Sequence, residues 1–285
     1  KNRKWYDAQR TSANTNDLRG KILRIRPTNN GGYTIPQGNL FPKGTAKTRP
    51  EIYVMGCRNP YRISIDQKTN YLYWGKVGPD AGNDSNRGPR GYDEINQARK
   101  AGNFGWPYFS ANNKAYTDYD FSEKKTGKKF NFEKPINTSI NNTGLTELPP
   151  AQPAFWHYPR ASACAGPVFY SDLFPKGQGG LPEQLDGCLI AYDWTTTRIR
   201  LIKLDDKGDI EWNEPWLGKY RFVHPGDMAM GPKGELFILE YGSAWYDGKD
   251  GKLKRVTYSK TPQAIAVSPS DPRMKGLPKD HPGTK

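Results

Sequence analysis

Cysteine and histidine are scarce in this chain. Three cysteines (Cys57, Cys164, Cys188) and three histidines (His157, His224, His281) are all that its 285 residues provide. No two cysteines stand in CxxC spacing, which excludes a zinc ribbon and a c-type haem site and leaves one disulfide plus a free thiol open. No apolar run approaches the ~20 residues that a membrane-spanning helix needs. The opening "KNRKWYDAQR" has no hydrophobic stretch of the kind that marks a signal peptide. It also has no initiator Met, so Lys1 reads as a processed or truncated start. Sustained helical periodicity is missing throughout, as are a phosphate-binding loop, a dinucleotide fingerprint, an HExxH pair and an EF-hand loop. Acidic residues are in deficit, 29 against 43 Lys and Arg, for a net charge of +14. The basic residues are spread along the chain, and their densest runs, "EKKTGKK" and "GKLKRV", accompany no nucleic-acid motif. They read as a solvated surface suited to an acidic partner, with no nucleic acid expected.

What the chain does have is aromatic content of 13% against only 35% hydrophobic residues overall, with 30 Gly and 24 Pro scattered as punctuation. Short β-branched and aromatic runs recur between turn residues. They are "KILRIRP" (21–27), "EIYVMG" (51–56), "RISIDQ" (62–67), "YLYWGKV" (71–77), "AFWHY" (154–158), "GPVFYS" (166–171), "GCLIAYDW" (187–194), "RIRLIKLD" (198–205), "DMAMGP" (227–232), "ELFILEYG" (235–242) and "KLKRVTY" (252–258). The fold class is therefore all-β. A hairpin with a tight polar turn repeats weakly in "SIDQKTNYLYWGKVG" and "AMGPKGELFILEYG", and more loosely in "LIKLDDKGDIEW", which favours a β-propeller over a sandwich. Residues 80–110 and 111–150 are read as long loops, the second as a polar surface insertion. Residues 259–285 are read as a linker or the start of a following domain.

The stretch "MGCRNP" (55–60) places a fixed charge and an amide where a strand leaves its sheet. Together with "YLYWGKVGPDAG" and "RGPRGYDEINQARKAGNFGWPYF" it resembles the soluble sugar dehydrogenases that depend on pyrroloquinoline quinone, the glucose/sorbosone dehydrogenase family. "WYDAQRTSANTNDLRGKILRI" and "HPGDMAMGPKGELFILEYG" extend the resemblance over roughly residues 5–258. It implies a six-bladed β-propeller, of which residues 1–258 at ~40–50 residues per blade cover about the later four. It also implies that Arg58 and Asn59 contact the quinone; a guanidinium fork suits a cofactor carboxylate. Main-chain carbonyls of Gly78 and Pro79 would hold a calcium ion. Gly88-Pro89 is a second pair of the same kind. Asp93 and Glu94 match the family's D-E-I-N and would orient this loop or pair with Arg58. Tyr158 would stack on the cofactor, with Trp156 beside it, and His224 falls where relatives carry an arginine at the site mouth.

The sequence departs from that family in two ways. The histidine of its H-x-G-G segment, the catalytic base, has no counterpart here, and Val77 stands where relatives place a polar cofactor contact. Oxidation of an aldose at C1, with hydride transfer to the quinone and onward electron flow to an acceptor such as a cytochrome, is the implied activity. Its base would then come from blades upstream or on a companion chain. The alternative is a non-catalytic propeller that binds carbohydrate or a protein partner. The resemblance further implies a periplasmic or extracellular location, with which the sequons at Asn137 and Asn141 are compatible.

Overall fold

The computed structural model describes residues 4–159 and 161–259. Within these the chain is all-β, and its only helical pieces are single 3-10 turns such as Ala8–Arg10. It divides into two compact units, Lys1–Val168 with Leu189–Thr196, and Phe169–Cys188 with Thr197–Lys285.

In the first unit the Ile52–Met55 strand lies between Lys21–Leu23, antiparallel to it, and Gly102–Asn103, parallel to it. Both of its faces are covered. Ile52 and Met55 pack with Phe41, Tyr108, Phe109 and Leu148, while Tyr53 and Val54 pack with Leu72, Trp74 and Phe104. Full burial on both sides is why "EIYVMG" reads as an unbroken apolar run and not an alternation. Each such side chain contributes about 1.5–3 kcal/mol.

The same unit holds a four-stranded antiparallel sheet in the order Trp156–Pro159, Tyr92–Ala98, Leu72–Lys76, Pro60–Ile65. Leu72–Lys76 is wholly buried, and the Pro60–Ile65 edge is half-exposed to exposed. The turn joining these two is built by its polar residues. Asp66 accepts the Lys68 amide at 2.9 Å and the Thr69 hydroxyl at 2.6 Å. Asn70 takes the left-handed conformation, φ 59°, which asparagine tolerates better than most residues. This is the first of the repeating hairpins. In the second unit Ile199–Leu204 pairs with Ile210–Trp216, and Pro225–Met230, Leu236–Glu240 and Lys252–Val256 form a three-stranded sheet.

Three expectations need correction. Residues 80–110 are not one structureless loop, since Tyr92–Ala98 is an inner strand whose last six residues are buried. Its sequence, "YDEINQA", hides it, because Asp, Glu and Asn are depleted in strands and are accommodated here only by specific partners. Nor is 111–150 a surface insertion throughout. Thr117–Asp120 and Lys125–Lys129 make an outer hairpin. Beyond it Asn137 is 3% exposed and donates to the Gln9 and Ala13 carbonyls at 2.9 and 3.1 Å. Leu148 and Ala151 join the core cluster. Thirdly, all three cysteines are free and buried, which closes the disulfide option. The linker assigned to 259–285 lies, from residue 260 on and including His281, outside the described residues.

Candidate active site

Arg58 and Asn59 follow the buried Ile52–Cys57 run directly, and both are exposed. Two bonds fasten them to the end of the neighbouring Leu72–Lys76 strand. The Val77 amide donates to the Asn59 carbonyl at 3.0 Å, and Arg58 Nη1 donates to the Val77 carbonyl at 3.1 Å. One nitrogen of the guanidinium is thus tethered, and the rest of its five-donor fork projects from an exposed side chain. Val77 serves this site through its backbone, which the loss of a polar side chain there does not affect.

The next residue, Gly78, is held between strands. Its amide donates to Asp93 Oδ1 at 3.0 Å, and a Cβ on it would stand 1.9 Å from the Tyr92 carbonyl oxygen. Only glycine lets the 77–79 turn lie this close to the Tyr92–Ala98 strand. The Pro79 carbonyl is turned toward Gly91, where an added Cβ would meet its oxygen at 1.8 Å.

Asp93, 2% exposed, accepts the Gly78 amide through one oxygen and the Ala161 amide through the other. Burial pushes its carboxyl up to about 6, against the pull of these backbone donors. Asp193 grips the same stretch of chain. It accepts the Tyr158 hydroxyl at 2.9 Å and the Ser162 amide at 2.8 Å.

Glu94 stands directly opposite Lys76 in the sheet register. The two form an ion pair of 2.6 Å with side chains 2% and 3% exposed. Glu94 also accepts the Ala111 amide at 2.8 Å, Ser110 Oγ at 3.2 Å and Asn96 Nδ2 at 3.2 Å. Lys76 Nζ donates to the Phe104 carbonyl at 3.1 Å. The charges are buried, paired and hydrogen-bonded, the condition under which such burial is tolerated.

The expectation that Asp93 or Glu94 pairs with Arg58 is therefore overturned: one carboxylate is taken by backbone amides and the other by Lys76. Asp93 does orient the Gly78 turn. Tyr158 sits beside Trp156, ring centroids 4.7 Å apart, with its hydroxyl committed to Asp193. Burial, then Asp193, holds that phenol far above the usual tyrosine range. His157 packs edge-on against Tyr92 at 5.4 Å, and burial lowers its pKa. His224 belongs to the second unit, where Nδ1 lies 2.8 Å from the Gly242 carbonyl. Its φ of 49° is a left-handed conformation costly outside glycine.

Sequence reasoning missed Tyr116. Its hydroxyl is shut away from solvent without a well-formed hydrogen bond. Burial pushes its pKa to about 12, Glu94 raising it further and Arg58 opposing, so it shares the electrostatic environment of both. It lies in the polar segment read as an insertion, and nothing in its neighbours marked it. Lys76 was also passed over. A lysine inside the apolar "YLYWGKV" asks for a buried anion, and Glu94 in the adjacent block supplies it. Among the described residues no cluster of three or more His, Cys, Asp or Glu side chains is arranged to hold a metal. No helix among them is long and apolar enough to cross a membrane.

Comparison with known proteins adds the following. The Glucose / Sorbosone dehydrogenase family model matches residues 4–255. The aldose sugar dehydrogenase YliI of Escherichia coli (strain K12) is 27% identical over 248 residues, covering 87% of this chain and 53% of that protein. The quinoprotein glucose dehydrogenase B of Acinetobacter calcoaceticus is 29% identical over 142 residues, 46% of this chain and 26% of that protein. A crystal structure of a glucose dehydrogenase superimposes with a TM-score of 0.55 at 20% identity, over 87% of this chain and 57% of that one. The last likeness supports the all-β fold. The chain spans about half the length of the aldose sugar dehydrogenase.

Proposed function

From the premise that this chain belongs to the glucose/sorbosone dehydrogenase family, as the match over residues 4–255 shows, we propose that it carries the cofactor-facing part of a quinone-dependent sugar dehydrogenase. The substrate is an aldose, oxidised at its C1 hydroxyl; the electrons pass on to an acceptor such as a cytochrome, in the periplasm or outside the cell. The architecture is a six-bladed propeller to which this chain contributes about four blades. When bound, pyrroloquinoline quinone supplies the two-electron acceptor for the hydride that leaves C1.

The observation that carries this reading is the tethered, exposed guanidinium of Arg58 beside exposed Asn59. Its partner carboxylates are occupied elsewhere, and Val77 fixes one of its nitrogens. Such a fork is preset for an external anion, and the cofactor's carboxylates fit it. Asn59 adds an amide donor and acceptor at the same edge. Behind them the Lys76–Glu94 pair and the Asp93–Gly78 bond hold the backbone still, which is what a binding constellation requires of its support.

Calcium fits less well. Gly78 and Pro79 offer two carbonyls against the 6–8 oxygens calcium takes, and the Pro79 oxygen faces Gly91. No step is routed through a metal here, and no residue of this chain is assigned as the base. Tyr158 and His224 stay assigned through the family resemblance alone.

The test is quinone titration of the chain by fluorescence quenching. Arg58→Ala removes charge-assisted hydrogen bonds worth ~1.5–3 kcal/mol, so affinity should fall about ten- to a hundredfold, and Arg58→Lys should not restore it. Unchanged affinity in Arg58→Ala would sink the assignment.

A further inference from the structure

A cavity of ≈ 840 Å³ opens in the first unit, between the N-terminal turn, the 81–89 loop, and the outer hairpin that begins at Thr117. Its size is within the ~300–1,000 Å³ of small-molecule sites. Its walls are aromatic: Tyr6, Trp106, Tyr116, Tyr119 and Phe121 all line it. Tyr6 is 86% exposed and Phe121 48% exposed, so two of these rings present apolar area to water for which the fold has no use. Trp106 meets Tyr116 edge-on at 5.9 Å. Gly88 makes room for the Tyr116 ring, since a Cβ there would stand 2.3 Å from it.

The polar lining is equally particular. Arg87 lies over Tyr119 and Phe121, 4.5 and 5.2 Å from their centroids, which fixes the hairpin's rings in place. Asp7 and Asp118 also line the cavity, so one cation faces two carboxylates, the wrong balance for an anionic ligand. Aromatic faces with interspersed carboxylate, amide and hydroxyl groups are complementary to a neutral molecule that has apolar C–H faces and hydroxyl edges. A pyranose is such a molecule, and this cavity is larger than one hexose ring.

We propose that this cleft binds a neutral oligosaccharide, its rings lying against Tyr6, Trp106 and Phe121 and its hydroxyls meeting Asp118 and Gln9. Trp106 links it to the Arg58 edge, because the amide of this cleft residue donates to the Gly56 carbonyl at 3.0 Å, two residues before Arg58. Where the chain acts on sugar as proposed above, the cleft holds the units beyond the reacting one and makes oligosaccharides the preferred substrate class. That second clause rests on the proposed function; the binding itself does not.

The experiment is titration of the full chain, without quinone, with malto-, cello- and xylo-oligosaccharides of two to six units, following tryptophan fluorescence and calorimetric heat. Saturable binding that tightens at least tenfold from disaccharide to tetrasaccharide is expected in one series. Tyr6→Ala and Phe121→Ser, both at exposed positions, should each weaken it at least fivefold with the melting temperature unchanged. Arg58→Ala should leave it intact. No saturable binding in any series overturns the proposal. So does binding that Arg58→Ala abolishes while the Tyr6 and Phe121 variants retain it, since the sugar would then sit elsewhere. Loss of quinone affinity in Arg58→Ala is read in a separate titration, so the two assignments fail independently.

Discussion

Replacing Lys76 by Met should be among the most damaging single changes in the first unit, and its damage should be largely undone by a second change, Glu94→Gln. The ammonium and carboxylate are 2.6 Å apart and almost fully buried. Deleting the cation leaves a carboxylate that still accepts from Ala111, Ser110 and Asn96 but has lost its counter-charge. Breaking a buried pair from one side costs about 3–5 kcal/mol, a large part of the ~5–15 kcal/mol by which a domain is stable. At ~2–4 °C per kcal/mol the melting temperature should fall by roughly 10 °C. Glu94→Gln alone strands the ammonium on the Phe104 carbonyl and costs a similar amount. In the double variant neither charge remains. The side-chain amide introduced by Glu94→Gln keeps an oxygen that can accept from Ala111, and the thioether introduced by Lys76→Met fills the space of the lysine stem. The double variant should therefore be only about 1–2 kcal/mol less stable than the parent, which requires a coupling of several kcal/mol in the double-mutant cycle. Urea unfolding followed by fluorescence gives all four corners. A double variant whose loss equals the sum of the two singles would refute the reasoning, because the side chains would then act independently.

The Asp93 carboxyl has a folded pKa of about 6 against ~3.9 unfolded. Its folded pKa is raised, so its contribution to stability is full below about pH 4, declines as pH rises through 6 and is gone above that. The difference in unfolding free energy between parent and Asp93→Asn should thus shift by about 2 kcal/mol in the parent's favour between pH 7 and pH 4, and a flat difference across that range would contradict the assignment. Burial also raises the thiol pKa values, Cys57 to about 12 and Cys188 to about 11, and all three cysteines are free. An aromatic disulfide reagent at pH 8 should label none in the native protein and three in denaturant; rapid native labelling of Cys57 would show that its strand is open.

The strands legible in the sequence are those whose side chains meet apolar neighbours. "EIYVMG" and "YLYWGKV" announce themselves because nearly every position is buried against carbon. "YDEINQA" did not, although it pairs with the second of these as an inner strand of its sheet. Its burial depends on partners distant in sequence: Lys76 for Glu94, Gly78 and Ala161 for Asp93, Tyr73 for Gln97. A propensity scale averages over contexts in which those partners are missing, so it assigns these residues to loops. Asn137 and Leu148 were misread for the same reason, since the N-terminal segment that covers them is more than a hundred residues away.

The site divides along the same line. A charge and an amide at a strand end, before proline, mark Arg58 and Asn59 as unusual, but on their own they read as a strand-end turn; it is the family resemblance that makes them ligand contacts. What they are attached to was not legible. The sequence offered Asp93 and Glu94 as the nearest acids, and sign alone pairs them with Arg58. Sheet geometry forbids it. Adjacent residues on a strand point to opposite faces, and the register puts Glu94 across from Lys76, so only one acid of the two lies on the lysine's side, and the other is drawn to the backbone of the Gly78 turn. Neither carboxylate pairs with Arg58, which among the described residues is tethered through the Val77 carbonyl. The fold restrains this guanidinium without neutralising it, and the interior ion pair that occupies Glu94 lies one residue before that tether.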